Sequence, residues 1–372
     1  MKTLGTLVLF IASISPLTAG KVLEQTIKGA PDIGRIDVVS FAPENVLLIG
    51  DGQKARIIAV KVSDAPRSEE AFEPIKNLNS EIAGRLGVPA EDAEILDLAV
   101  NPESGIPYLA VRKQDDKTYV ILRIQPNREI ELVSLSDVEY ASIPMLNGDG
   151  APISKITDVV WVGDRLVAAG RASDAFASKI FAVDGPIDHD KPGQVYSAET
   201  YHISHRRWET KAPMSVMIPY QENGKNYIVG AFSCTPVVKY PIDDLEPGAK
   251  IKGISMIELG SGNRPIDMFA YDAEGAGSSI LTNTFRFHHE KRPFGPSAHL
   301  AFRFDEGLLG NAEKVNEQAT RRLDASTPES ERIEIAEPFH GVVQMDRLNQ
   351  KTALALREGE GGGLDLVTIA LP

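Results

Sequence analysis

The chain contains almost no cysteine. Cys234 is the only one among 372 residues, so no disulfide can form within the chain. A single thiol either reacts or pairs between chains, or it is a small apolar side chain of the core. The run Ser233-Cys234-Thr235-Pro236 is polar rather than apolar, which favours a functional thiol over a core side chain.

An excess of positive charge is also missing. Lysine and arginine number 39 against 52 aspartates and glutamates, for a net charge of −13. Nucleic-acid binding needs a basic face, and docking on anionic lipid needs basic segments. We therefore expect no nucleic-acid partner and no electrostatic docking on a membrane.

Long apolar runs are absent except near the start of the chain. Residues 4–14 are apolar, follow Lys2, and precede the small residues of 16–20. This pattern predicts a secretory signal peptide over residues 1–20 and a mature domain over 21–372, located in the periplasm or outside the cell. The run is short for a membrane span, so we expect none after cleavage; an uncleaved anchor is the alternative.

A pattern of two apolar strands joined by a turn recurs along the chain. Each copy has a polar residue early in its first strand and another at the end of its second strand. The clear copies are 36–51, 96–112, 157–171 and 266–286, and the weaker ones are 214–234 and 343–357. Spacings of roughly 50–60 residues are typical of radial β-repeats. The sequence predicts an all-β fold, a single β-propeller of six or seven blades, closed by pairing of the N- and C-terminal strands.

The polar positions of the repeats predict a site. In a propeller the first strands line the axis, and an antiparallel neighbour places the end of the second strand beside the start of the first. The residues concerned are Asp37, Asp97, Asp158 and Asp267 on first strands, Arg112, Arg171, Arg286 and Arg357 at the ends of second strands, and Arg264 close by. Converging arginines bind carboxylates, phosphates or sulfates, while the acids alone suit calcium. The alternative is a set of purely structural ion pairs.

Histidines close to the fourth repeat suggest a second kind of chemistry. His205 leads into that repeat, whose second strand ends near Cys234. An imidazole beside a thiolate is a nucleophilic pair, so both residues are candidate catalytic residues. With His202 and Glu209 the same residues offer ligands for zinc or copper. No HxxEH or CxxC spacing supports the metal, so a copper, zinc or calcium ion is an open hypothesis.

Several phrases resemble known propeller sequences. The run 41–51, Phe-Ala-Pro-Glu-Asn-Val-Leu-Leu-Ile-Gly-Asp, resembles blades of gluconolactonase-like and NHL-type propellers. Segments 205–213, 234–241 and 263–268 resemble an uncharacterised family of secreted bacterial propellers. The resemblance covers most of the mature chain and implies the fold alone, since propellers serve as enzymes and as scaffolds. Repeated Trp-Asp endings, quinone-enzyme tryptophan motifs and the histidine count of multi-copper propellers are absent.

Together these patterns predict an exported propeller with a polar site at one mouth of its channel. The leading hypothesis is a small-molecule enzyme acting on an anionic or polar substrate, either a metal-dependent oxidoreductase or a lactonase-like hydrolase. The alternative is a propeller that binds a ligand or a protein partner without chemistry. An alanine variant of Cys234 separates the two, because only an enzyme would lose turnover while keeping binding.

Overall fold

The structure is a computed structural model that describes most of the chain. It covers residues 21–67, 72–146, 153–173, 177–209, 211–233, 236–243, 245–246, 248–260, 262–273, 277–310, 316–321 and 332–372, without the side chains of residues 204 and 209. The predicted signal peptide and Cys234 lie outside the described residues.

The predicted strand pairs form antiparallel sheets arranged as the blades of a six-bladed β-propeller, so the predicted fold is confirmed. Blades are numbered here by the order of their inner strands in the chain. Blade 1 contains Val38–Ala42, Val46–Asp51, Arg56–Lys61, Val138–Pro144 and Ile27–Gly29. Blade 2 contains Ala93–Val100, Pro107–Lys113, Tyr119–Ile124 and Ile130–Leu132. Blade 3 contains Ile153–Val162, Arg165–Ala172, Ser178–Asp184, Gln194–His202 and Arg207–Glu209, with Lys250–Lys252 paired to Gln194–His202.

The remaining blades follow the same plan, with the inner strand first. Blade 4 contains Met214–Glu222, Lys225–Phe232, Pro236–Pro241, Ile254–Glu258 and Thr320–Arg321. Blade 5 contains Asn263–Ala273, Gly277–Arg286, His299–Asp305 and Ile333–Ile335, and blade 6 contains Val342–Arg347, Thr352–Glu358 and Leu364–Ala370. Short 3-10 helices are Ala90–Asp92, Ile203–His205, Glu306–Leu309, Asn316–Gln318, Glu337–Phe339 and Glu360–Gly362.

The blades do not follow one another around the ring in chain order. Inner-strand contacts place them in the order 2, 1, 3, 4, 5, 6, with blade 6 next to blade 2. The chain leaves blade 1 after Arg56–Lys61, builds blade 2, and returns to add Val138–Pro144 to blade 1. Blade 1 therefore contains strands from before and after blade 2, which ties the two blades together.

The side chains of the strand Val46–Asp51 point alternately to the two faces of blade 1 and pack against both neighbouring blades. Val46 and Leu48 pack in a core with residues of blade 3, whereas Leu47 and Ile49 pack with Tyr108 and other residues of blade 2. Side chains two apart point to the same face of a sheet, so a continuous apolar run fits a strand covered on both faces. All four residues are fully buried, and each contributes about 1.5–3 kcal/mol relative to an exposed position.

The ring closes at a seam between blades 6 and 2. Backbone N–H and C=O groups of Ile75 and Leu366 bond to each other at 2.9 and 2.8 Å, which adds residues of the blade 1–2 connection to the last strand. The α-helix Leu78–Leu86 then packs Leu78 and Ile82 into the core of this seam and ends at Gly87, whose positive φ of 69° suits glycine.

The predicted pairing of the N- and C-terminal strands is not how the ring closes. Leu23–Gln25 pairs in parallel with Ile187–Asp188, and Ile27–Gly29 pairs with Val138–Pro144. In the described part of the chain, Leu364–Ala370 pairs with Thr352–Glu358 and meets Ile75 on its other edge. The connection between two early blades therefore takes the place that a terminal strand was expected to fill.

Candidate functional site in the central channel

The inner strands of all six blades line a central cavity of about 990 Å³. The four predicted acids, Asp37, Asp97, Asp158 and Asp267, all lie on its wall, and Asp346 of blade 6 joins them. These side chains lie on the channel wall because each comes early in the first strand of its repeat, and the first strands line the axis. Asp346 was missed because it lies two residues after Gln344, the polar position of its repeat.

Each of these five acids joins its blade to the next one around the ring. One carboxylate oxygen accepts a hydrogen bond from a backbone N–H of the neighbouring inner strand. The bonds are Val39 to Asp97 at 2.7 Å, Ile156 to Asp37 at 2.9 Å, Met217 to Asp158 at 2.6 Å, Met345 to Asp267 at 2.7 Å and Val100 to Asp346 at 2.7 Å. All five run in the same direction around the ring. We call these contacts the acid clasps.

The acid clasps place carboxyl groups where water is scarce. Burial raises the pKa of Asp158 to about 8, that of Asp97 to about 7 and that of Asp346 to about 6. The pKa of Asp267 lies well above its usual range for the same reason, and nearby carboxylates of the ring add to it. Backbone N–H donors oppose these shifts without cancelling them. At neutral pH part of this ring is therefore protonated.

The junction between blades 4 and 5 has no acid clasp among the described residues. Asp97, Asp158 and Val216 occupy equivalent positions, since each follows a β-bulge and lies opposite an alanine of the second strand. Blade 4 thus has an apolar side chain where blades 2 and 3 have an acid. Its channel wall near the mouth instead presents Ser215 and Ser233, whose hydroxyls lie 3.0 Å apart.

The start of the inner strands forms a mouth rich in cations. Lys155 lies opposite Arg171 in blade 3, three residues before Asp158, so this level is about 10 Å from the acid clasps. Both residues are exposed and line the cavity, as does Arg264 of blade 5. None of the three forms an ion pair with an acid in the described part of the chain. We call Lys155, Arg171, Ser215, Ser233 and Arg264 the cationic crescent.

The other side of the mouth is electrostatically paired. Arg35 donates two hydrogen bonds to Asp37, at 2.6 and 3.0 Å, and a third to the carbonyl of Ser154. Arg112 lies 2.5 Å from Glu94, its partner across the strands of blade 2. Cations of blades 1 and 2 are therefore neutralised locally, unlike those of blades 3 and 5.

Three of the predicted arginines do not line the channel: Arg112, which is paired with Glu94, and also Arg286 and Arg357. Arg286 is buried, donates to the carbonyl of Arg292 at 2.8 Å, and stacks on Phe294 at 3.6 Å from the ring centre. Burial lowers its pKa, and the nearby Arg292 adds to this effect. Arg357 donates to the carbonyl of Pro338. Arg264 and Arg286 belong to blade 5 but face opposite sides of it, because Arg286 pairs with the neighbouring residue Asn263.

The predicted metal and nucleophile residues are only partly described. His202 is buried, His205 is exposed, and their Nδ1 atoms lie 2.7 Å apart, away from the channel wall. Cys234 and the side chain of Glu209 lie outside the described residues. Within the described residues, no group of three or more acidic, histidine or cysteine side chains could hold a metal. The metal and the His205–Cys234 pair therefore stay predictions.

Three polar features of the fold escaped the sequence patterns. His299 Nδ1 lies 2.7 Å from Glu358, which also accepts from Ser297 at 2.7 Å. The channel wall includes Thr157 Oγ1 and Gln344 Oε1, two buried oxygens without a hydrogen-bond partner among the described residues. Pairing of His299 with Glu358 depends on blades 5 and 6 meeting, which no local pattern signals.

The chain resembles known proteins only weakly. No protein-family model matches the chain, and no curated protein matches its sequence. The solved structure of the major allergen Mala s 1 of Malassezia sympodialis is similar, with 10% identity, a TM-score of 0.39, and coverage of 93% of this chain and 96% of that one. A Lactobacillus plantarum protein has 10% identity, a TM-score of 0.36, and coverage of 91% and 85%. Likenesses this weak carry no argument about function.

No helix in the described stretches is both long and apolar enough to span a bilayer.

Proposed function

We propose that this protein is an exported propeller that binds a small anionic molecule at the mouth of its central channel. The observation that carries the proposal is the cationic crescent: three cations on one side of a roomy cavity have no acidic partner in the described structure. Unpaired guanidinium groups near one another repel, and a carboxylate, phosphate or sulfate relieves that repulsion. Ser215 and Ser233 supply hydroxyl donors between them.

The deeper part of the channel suits the polar remainder of such a molecule. Thr157 Oγ1 and Gln344 Oε1 are oxygens without a partner in the described structure, so a ligand or water can donate to Gln344 and exchange a hydrogen bond with Thr157. A small ligand fits a cavity of about 990 Å³. Export is supported by the sequence of residues 1–20.

A second candidate function is catalysis on the bound anionic molecule, which requires more of the site than binding does. A carboxyl group whose pKa lies near the working pH is suited to general acid–base catalysis. Asp97 and Asp158, with pKa values of about 7 and 8, lie on the wall below the cationic crescent. A ligand held by the crescent would present its neutral part to them, as in hydrolysis or proton abstraction. The carboxyl groups of Asp97 and Asp158, however, already accept hydrogen bonds from the backbone N–H groups of Val39 and Met217. This structural use of the two acids favours binding without catalysis.

The binding proposal is tested by ligand-induced thermal stabilisation. Phosphate, sulfate, acetate and benzoate are each added at millimolar concentration to the wild type and to a Lys155→Ala/Arg171→Ala variant. We expect at least one anion to raise the wild-type unfolding temperature and to lose most of that effect in the variant. Arg85→Ala, which removes an exposed arginine of the helix Leu78–Leu86, is the matched control and should respond like the wild type.

If no anion stabilises the wild type, or if the double variant responds as the wild type does, the crescent is not a binding site. The catalytic form needs one further result: Cys234→Ala, Asp97→Asn or Asp158→Asn must lower turnover of a bound ester or lactone while leaving its affinity unchanged.

A further inference from the structure

A row of side chains crosses blade 5 at the channel mouth. Arg264 lies opposite Phe285, and Phe285 lies opposite His299 on the next strand. Residues paired across adjacent antiparallel strands point to the same face of the sheet. Neighbouring strands lie about 4.8 Å apart, so the backbones of Arg264 and His299 are about 10 Å apart. The row therefore begins at the cavity wall and ends outside it.

Arg264 is held in place without being neutralised. Its guanidinium carbon lies 5.6 Å from the ring centres of both Phe285 and Phe287. The two rings meet edge to face with their centres 5.5 Å apart. Cation–π contacts orient a guanidinium but leave its N–H donors available for an anion. Arg264 is thus the member of the cationic crescent whose direction is fixed by its neighbours.

Phe287 is exposed although it belongs to a packed aromatic pair. Its relative exposure is 55%, among the highest of the large apolar residues described. An exposed ring beside an oriented, unpaired cation offers a face for stacking and a partner for negative charge. This combination favours a planar ring that carries a carboxylate over a bare inorganic anion.

His299 lies at the other end of the row, and its contact with Glu358 defines its tautomer. Its Nδ1 lies 2.7 Å from Glu358 Oε1, and a carboxylate only accepts, so Nδ1 carries the hydrogen. Ser297 fixes both residues, since its hydroxyl donates to Glu358 at 2.7 Å and accepts from the His299 backbone N–H at 2.9 Å. In the neutral ring, Nε2 is then an acceptor for a hydroxyl group.

We propose that this row is a subsite for a hydroxylated aromatic carboxylate. The carboxylate binds Arg264, the ligand ring stacks on the exposed Phe287, and a hydroxyl at the far end donates to His299 Nε2. The proposal rests on the anion-binding function proposed above and specifies its ligand class. It uses side chains of blade 5, whereas the test of that function removes cations of blade 3.

The test compares four probes by isothermal titration calorimetry on the mature protein: 4-hydroxybenzoate, benzoate, acetate and phenol. We expect the affinities to fall in that order, with phenol and acetate much the weakest because each lacks half of the recognition. Arg264→Gln should weaken benzoate and 4-hydroxybenzoate about tenfold or more. His299→Phe should weaken 4-hydroxybenzoate about fivefold, for one lost hydrogen bond, and leave benzoate within about twofold.

A matched control exists for the aromatic contact. Phe287→Ala should weaken both aromatic acids severalfold and leave acetate unchanged. Leu132→Ala removes a residue of the same 55% exposure in blade 2 and should leave all four probes unchanged. Each variant is first checked for a wild-type circular dichroism spectrum and unfolding temperature.

The results separate this proposal from the broader one. If acetate and benzoate bind equally, the anion site stands and the aromatic subsite falls. If no carboxylate binds the wild type but phosphate or sulfate stabilises it, the aromatic subsite falls and the anion site stands; if no anion binds or stabilises the wild type, both fall. If the Phe287 and Leu132 variants behave alike, the ring is not part of the site. If the His299 variant weakens benzoate as much as 4-hydroxybenzoate, His299 does not contact a hydroxyl and the proposed orientation is wrong.

Discussion

The two sides of the channel mouth use the same kinds of side chain in different ways. On blades 1 and 2, Arg35 pairs with Asp37 and Arg112 pairs with Glu94. On blades 3 and 5, Lys155, Arg171 and Arg264 have no such partner within the described structure. The first arrangement is complete by itself, whereas the second leaves positive charge facing a cavity. Whether a cation forms an ion pair, rather than how many arginines are present, therefore distinguishes a structural contact from a candidate binding site.

A parallel difference exists one level deeper. Five junctions have an acid clasp, and the junction between blades 4 and 5 has none among the described residues. The exception lies on the side of the mouth with the unpaired cations. Among its described residues, blade 4 thus offers no acid to the clasps, and Ser215 and Ser233 face the cavity.

The largest expected effect concerns the acid clasps and pH. Asp97, Asp158 and Asp346 have folded-state pKa values of about 7, 8 and 6, above the value of about 3.9 for an unfolded chain. Their uncharged forms therefore stabilise the fold at low pH, and this stability is lost as the pH rises from about 4 to the folded-state pKa of each group. Each group contributes a fall on the order of 1 kcal/mol per pH unit up to its own folded-state pKa, and none above it.

Urea unfolding between pH 5 and pH 9 measures this effect. Asp158→Asn removes one ionisation and should flatten the slope, whereas Asp164→Asn, at an exposed turn of the same blade, should not. An unfolding midpoint that is constant or rises over this range would show that the carboxyl groups are ionised at little cost.

The next effect in size concerns the clasp itself. Asp158→Ala leaves the N–H of Met217 without its acceptor at the junction between blades 3 and 4. A buried donor without a partner costs about 1–3 kcal/mol, so we expect a loss of that size in the free energy of unfolding. The measurement is urea unfolding at pH 5, where charge contributes least. Asp164→Ala is the control; equal losses in both variants would mean that the clasp does not hold the blades.

Sequence phase predicted the positions of the acids but not their partners. Strands alternate with a period of two, so an acid early in each first strand falls on the channel wall wherever the strand begins in register. Asp346 breaks that phase, and blade 4 has Val216 where blades 2 and 3 have an acid. Arg171 lies opposite Lys155, which lines the cavity, whereas Arg286 lies opposite Asn263 and faces away from Arg264, so Arg171 lines the cavity and Arg286 is buried.

The order of the blades could not be predicted from local patterns. The repeats are visible one by one, but the chain segment between blades 1 and 2 does not show which blade it will pass. Contacts made only in the folded chain show that blade 2 adjoins blade 6: the packed core around Ile75, Leu78 and Leu366, and the hydrogen bond from Val100 to Asp346. The same limit applies to His299 and Glu358, which lie far apart in sequence and meet across two blades.

A smaller effect separates the two sides of the mouth directly. Arg112→Ala breaks an ion pair with Glu94 and should lower stability by about 0.5–1 kcal/mol, since both side chains are partly exposed. Arg171→Ala breaks no such pair in the described structure and should change stability by less than about 0.5 kcal/mol, while reducing stabilisation by added anions. Thermal unfolding with and without phosphate measures both. The comparison fails if Arg112→Ala reduces the phosphate effect as much as Arg171→Ala does.

The smallest expected effect comes from turning the paired side into an unpaired one. Glu94→Gln keeps the shape of the side chain but removes the charge that neutralises Arg112. Arg112, which lies beside the cavity wall at Glu94, is then unpaired, and an anion at the mouth experiences an added attraction that water largely screens. We expect phosphate affinity to rise about twofold to threefold at low salt and to return to the wild-type value at high salt. Isothermal titration at two ionic strengths measures this change.

The control variant is Glu91→Gln, at an exposed position just before blade 2. It removes the same charge without releasing Arg112 and should change phosphate affinity less. Equal gains in both variants would show that net charge, not the pairing of Arg112, controls anion binding at the mouth.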